Sequence, residues 1–155
     1  MRPLLLITAL VLTFSVHAQD GSMAMRNVTL WYEAFNKRNV GLVEKVLSET
    51  WVDIPPAPGQ PPGLKGVELI LAQLSTAFPD FQVTPKEILQ DGNKVIVRSE
   101  ISGTHRGFFM GIPSKERKIA IQAIDIHEVE NGKILRTWHT EDWLTGLHQM
   151  GAFDK

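Results

Sequence analysis

Apolar residues recur at helical spacing through the first half of the chain and at alternate positions through much of the second. From about Ala24 to Lys37, Val28, Trp31, Tyr32 and Phe35 fall on one stripe, which predicts an amphipathic helix, with residues 19–23 as a loose leader before it. Asn39 breaks the stripe. Val40 to Leu47 then reads as a second, short helix with Leu42, Val43, Val46 and Leu47 facing inward, and Trp51 to Ile54 as a short extended piece. Pro55 to Gly63 is dense in proline and glycine, and proline fixes φ and removes a donor, so it is neither helix nor paired strand. It is too short for a domain linker and reads as a loop at a pocket mouth. Gly66 to Phe78 carries Val67, Ile70, Leu71, Leu74 and Phe78 as the stripe of a third helix, stopped by Pro79.

The pattern then changes to strands. Phe81 to Leu89 is extended, Asp91-Gly92 is a hairpin turn signal, and Lys94 to Thr104 is rich in β-branched residues. Arg106 to Pro113 is a glycine-punctuated connection. Arg117 to Val129 and Lys133 to Asp142 are strands joined by Asn131-Gly132, the strongest two-residue hairpin signal in the chain. Trp143 to Met150 reads as a short closing helix. Helices first and an antiparallel meander second give an α+β fold, with a curved sheet of about four strands and three N-terminal helices packed on its concave face to enclose a hollow. The domain is expected over residues 24–151.

The first 18 residues are of another kind. Arg2 precedes an apolar run from Leu4 to Val16, and Val16-His17-Ala18 ends in small or modest side chains. The run is about 13 residues, short of the roughly 20 that span a bilayer, so it reads as a secretory signal peptide cut near Ala18 in a bacterial chain bound for the periplasm or the outside, with no stable membrane anchor afterwards. The chain has 155 residues, enough for one domain with a sizeable core. A formal net charge of −1 argues against a nucleic-acid partner, which would need a basic face. The absence of cysteine excludes disulfides, thiolate metal sites and cysteine nucleophiles.

Asp125 is the most informative single residue. It interrupts Ile119-Ala-Ile-Gln-Ala-Ile-Asp-Ile-His127, where Ile121, Ala123, Asp125 and His127 share one face. A carboxyl buried in an apolar pocket has a raised pKa suited to general acid–base work near neutrality, whereas an edge or solvent-face aspartate would pair with a lysine. Counting back from the Asn131-Gly132 turn sets Asp125 near Trp138 or His139, and a slip of one residue exchanges them. Trp138 shares a face with Ile134, Arg136, Thr140 and Asp142; His139 shares the other with Leu135, Thr137 and Glu141. His105, where a strand yields to the connection, is a second catalytic candidate, able to shuttle protons or to bond backbone as an ordinary loop histidine. Trp31, Trp51, Phe109, Trp138, His139 and Asp142 complete the candidate substrate-binding set. No metal is expected, because the histidines lack close ligand spacing, and neither a G-x-S-x-G elbow nor a phosphate-binding glycine loop occurs.

Several stretches together resemble one family. Gly63-Leu-Lys-Gly-Val-Glu68, Ala77-Phe-Pro-Asp-Phe81, Gly103-Thr-His-Arg-Gly-Phe-Phe-Met-Gly-Ile-Pro113 and Ile124-Asp-Ile-His-Glu-Val-Glu-Asn-Gly-Lys-Ile134, followed by Trp138 and Asp142, are similar to the SnoaL-like polyketide cyclases, also described as ester cyclases, within the NTF2-like superfamily. The likeness spans about Met25 to Gly151. It implies an α+β cone, no metal or cofactor, and ring closure of a polyketide ester by intramolecular aldol condensation, with an aspartate as general acid and base. Carried onto this sequence, those roles fall on Asp125 and His105. It also implies a homodimer formed through the sheet. The expected ligand is a small apolar or carbonyl-containing molecule. Three readings stand beside one another: an acid–base enzyme of cyclase, isomerase or lyase type, a non-catalytic periplasmic binding protein of the same fold, and an interaction domain whose pocket is filled by side chains.

Overall fold

The computed structural model describes residues 9–154, with side chains from Met23 onward. Of the expected leader, residues 1–8 lie outside the described residues. The first helix, α1, runs Ala9–Lys37, so residues 19–23 are helical and not a loose leader. Its buried stripe is Ala24, Val28, Trp31 and Tyr32, the i, i+4, i+7, i+8 spacing of one helix face. Short α2, Val40–Val46, follows. β1, Leu47–Ile54, is longer than the extended piece expected and is a full member of the sheet. α3, Leu64–Ala77, begins after Gly63 at φ 67 and ends before Pro79.

The remaining strands are β2 (Gln82–Asp91), β3 (Lys94–Thr104), β4 (Lys118–Glu130) and β5 (Lys133–Glu141), closed by α4 (Trp143–Met150). The sheet has five strands, not about four, in the open order β1-β5-β4-β3-β2. β1 pairs parallel with β5, and every other pair is antiparallel. The fifth strand was invisible to hairpin logic because β1 pairs with β5 far along the chain, as Ile54 with Trp138, reached by no local turn. Asn131 and Gly132 both take positive φ, at 50° and 72°, as a two-residue turn matched to strand twist requires.

Curvature comes from interruptions in the ladder: the register shifts between Pro85 and Glu87 in β2 and between Glu128 and Val129 in β4. α1 lies across the inner face, touching β2, β3 and β5, while α4 packs on β4. Asn36 fixes the crossing. Its Nδ2 donates to the Val83 carbonyl at 2.9 Å and its Oδ1 accepts from the Val83 N–H at 2.7 Å, so the last turn of α1 is bonded to β2 as a strand would be. Tyr32 and Phe35, one turn earlier and beside it, are thereby aimed at the sheet.

Candidate functional site

A cavity of about 670 Å³ lies between the inner sheet face and the helices α1 and α3. That is within the range of small-molecule sites. Its walls are mostly apolar, with Phe35, Ile70, Leu74 and Phe81 among them, and Phe108 and Met110 of the 105–113 connection stand at its solvent-exposed edge.

The polar groups are concentrated on β1, β4 and β5. β4 carries Asp125 inward, with His127 two residues on along the same face. Register places Asp125 opposite His139 of β5 and opposite Val97 of β3. Tyr32 Oη donates to Asp125 Oδ2 at 2.6 Å and lies 3.0 Å from His127 Nε2. His127 Nδ1 is 3.1 Å from Thr137 Oγ1, which accepts the indole N–H of Trp51, also at 3.1 Å. His127 is fully buried, and burial, with repulsion from His139, pushes it down to about 3, so the ring is neutral and carries one proton.

Proton counting assigns every link of this chain. Trp51 can only donate. Tyr32 has one proton, given to the carboxylate, so its oxygen receives the Nε2–H of His127. The Nδ1 of His127 then accepts the Thr137 hydroxyl proton. All four donors run one way, from Trp51 to Asp125, and end on Oδ2. Among the described residues, Oδ1 is left with no protein donor. Burial raises Asp125 to about 6, the Tyr32 hydrogen bond opposes the rise, Glu141 adds to it, His139 opposes, and Asp53 adds. Burial and the neighbouring Asp125 carboxylate hold the Tyr32 phenol far above its ordinary value, so Tyr32 stays a donor.

His139 is the opposite case. Its Nδ1 lies 2.8 Å from Glu141 Oε1, and its Nε2 lies 3.2 Å from Asp53 Oδ1 and 2.9 Å from the Pro55 carbonyl. The hydrogen bond to Asp53, then that to Glu141, pushes the ring up to about 10 against the cost of burial, so it is an imidazolium at neutral pH. Both its N–H groups are occupied. Its role in the cavity wall is therefore to set charge and to tie the loop after β1 to β5, which Gln60 reinforces by donating to Asp53 Oδ2 at 2.8 Å.

Asp125, Trp31, Phe109 and His139 all line the cavity. Trp51 is buried behind Trp31, with ring centroids 5.6 Å apart, and reaches the site through Thr137. Trp138 does not line it: it pairs with Ile126 and lies on the outer face, where Lys94 Nζ sits 5.2 Å over its ring. The ladder skips Leu135, so inward Ile134 is followed by inward Thr137, and Ile134 is no guide to the side Trp138 takes. Asp142 is exposed and caps α4, accepting from the Thr145 N–H at 3.1 Å. His105 is fully buried against Phe78, its ring centroid 5.6 Å away, outside the cavity wall.

Sequence reasoning noted Tyr32 and His127 without assigning them to the site. Their signals existed: Tyr32 is the chain's single tyrosine on an apolar stripe, and His127 shares the Asp125 face. Thr137 and Glu141 share the His139 face, whereas Asp53 had no distinguishing signal, since the parallel pairing of β1 with β5 brings it in.

Helices followed by an open, curved sheet around a cavity, with a buried carboxylate facing into it, define an NTF2-like cone. The chain belongs to the SnoaL-like polyketide cyclase family, whose model matches residues 26–150. Among solved structures it is similar to TsrD from Streptomyces laurentii (23% identity, TM-score 0.79, covering 85% of this chain and 97% of that one). It is also similar to IdmH, a candidate polyketide cyclase from Streptomyces antibioticus (28%, 0.73, 83% and 98%). A candidate polyketide cyclase from Bacillus cereus gives 27%, 0.74, 83% and 80%. No curated protein matches the chain in sequence.

Proposed function

We propose that this protein is a cofactor-free acid–base enzyme acting on a small, mostly apolar carbonyl compound, with Asp125 as the proton-transfer group. The observation that carries the reading is a buried carboxyl in the wall of a 670 Å³ cavity whose Oδ2 accepts from Tyr32 while Oδ1 has no protein donor among the described residues, with burial pushing its pKa up to about 6. A base near neutrality combines a usable ionised fraction with basicity. Oδ1 takes a proton from the carbon beside a carbonyl, and the C–H pair becomes the enolate. In an aldol closure the enolate carbon attacks a second carbonyl, and the new alkoxide takes the proton back from Asp125. Tyr32 keeps Oδ2 bonded throughout, so the wire behind it need not rearrange. The relatives named polyketide cyclases support a cyclisation of this type.

Solvent deuterium incorporation at C1 of 2-tetralone, followed by proton NMR, tests the chemistry with a simple probe. Asp125→Asn should abolish incorporation while circular dichroism and binding of the probe persist. Unchanged incorporation in that variant rejects the role; binding without incorporation in the native protein favours the binding-protein reading. The proposal includes export by the segment over residues 1–18, tested by the intact mass of the secreted protein. It also includes a homodimer through the outer sheet face, where Leu89 and Ile124 are exposed, tested by sedimentation.

A further inference from the structure

Ser99 stands on β3 in register with Ala123, two residues along from Val97, the partner of Asp125. It lines the cavity although the residue is only 1% exposed, and its Oγ has no hydrogen-bond partner among the described residues. Its surroundings make this unusual. Asp53, Asp125 and His139, on the β1-β5-β4 side, all have partners. On the β3-β2 side the wall is Ile101, Val83 and Phe81 together with Ser99. β3 is an interior strand, paired with β2 and β4, and Ser99 stands opposite Pro85 at the register shift of the β2 ladder. A buried hydroxyl without a partner weakens the fold, and alanine would occupy the same inward position without that cost.

We propose that Ser99 Oγ is a ligand-binding hydroxyl whose hydrogen bond is completed by a carbonyl oxygen of the bound molecule. The proposal rests on the reading of Asp125 as the proton-transfer group and deepens it. Diagonal neighbours on one face of adjacent strands stand roughly 7 Å apart, within reach of a single small molecule. A compound that presents its α C–H to Asp125 Oδ1 can set the oxygen of the adjacent carbonyl on Ser99. As Asp125 takes the proton, the C–H pair enters the new C–C double bond and the carbonyl π pair moves onto oxygen, where the Ser99 O–H meets the growing charge. The ligand class is an uncharged carbonyl compound. Asp53, Asp125 and Glu141 together outnumber the one imidazolium of His139, so a free carboxylate on the ligand is disfavoured.

The test compares two probes that differ by one oxygen, 2-tetralone and its hydrocarbon tetralin, on the native protein and Ser99→Ala, by titration calorimetry. Ser99→Ala should weaken 2-tetralone roughly three- to tenfold, the loss of one hydrogen bond, and leave tetralin unchanged or tighter. Its Tm should equal or exceed that of the native protein, because an unpaired hydroxyl has been removed. Equal loss for both probes, no loss for 2-tetralone, a lowered Tm, or no binding of 2-tetralone to the native protein would each overturn the assignment. Deuterium incorporation separates the two claims. Selective loss of 2-tetralone binding in a protein that never exchanges its C1 protons rejects only the acid–base reading. Full exchange with no effect of Ser99→Ala rejects only this one.

Discussion

His127 and His105 are both fully buried, and both stand on or beside the inner strands, yet they teach opposite things. His127 is bonded at both nitrogens, to Tyr32 and Thr137, and through Tyr32 it acts on a carboxylate that faces the cavity. His105 has no partner at either ring nitrogen among the described residues and packs on Phe78, behind the wall. Its backbone is what the fold uses: its N–H donates to the Arg117 carbonyl at 2.8 Å, and its own carbonyl accepts from Ser114 Oγ at 3.0 Å. Burial of a titratable side chain does not make a site. What distinguishes the β4–β5 region is a polar chain with every proton assigned, ending on one oxygen of a carboxylate that lines the cavity and leaving the other without a protein donor among the described residues.

The largest effect is expected at Asp125, where the polar chain ends. Asp125→Asn should lower turnover by about 10²- to 10⁴-fold, the usual worth of a general base, in steady-state assays of deuterium incorporation. Next is the wire. His127→Leu leaves the Tyr32 and Thr137 hydroxyls facing an apolar side chain and should destabilise the protein by about 2–4 kcal/mol in urea unfolding, whereas a loss under 1 kcal/mol would show that the chain carries little. His139 should reveal itself through pH. Its folded pKa of about 10 lies above its ordinary 6.5, so its stabilisation is complete below 6.5 and is lost as pH rises through 10. Between pH 7 and 10 the native protein should lose on the order of 1–3 kcal/mol, allowing for partial exposure, and His139→Gln should flatten that slope.

A smaller effect is expected at Tyr32. Tyr32→Phe removes the hydrogen bond that opposes burial, so the acid limb of the rate profile, expected near pH 6 in the native protein from the raised Asp125 carboxyl, should move to higher pH. A limb that stays in place would separate Tyr32 from the titration of Asp125. Smallest of all is His105→Leu, which should change stability by less than about 1 kcal/mol and leave turnover within about twofold. A large loss of turnover there would restore His105 to the catalytic set and overturn the contrast.

Periodicity and turn chemistry alone made three N-terminal helices, two hairpins and their order legible, because these are local properties: an apolar stripe, a proline stop, an Asn-Gly pair at positive φ. Asp125 was legible for the same reason, as a charge interrupting an alternating strand, and so was its face, shared with His127. The side of β5 that meets the cavity was not. It depends on a ladder irregularity at Leu135, where one skipped residue puts Ile134 and Thr137 on the inner face together and sends Trp138 outward. Nor could local pattern find Asp53, which arrives through the parallel pairing of β1 with β5, or the contact of Tyr32 with Asp125 across 93 positions. Those pairings are set by how α1 crosses the sheet and how the sheet bends. The buried carboxyl is thus written along the chain, while which of its oxygens is left without a protein donor among the described residues, Asp125 Oδ1, is decided only when helix and sheet close on one another.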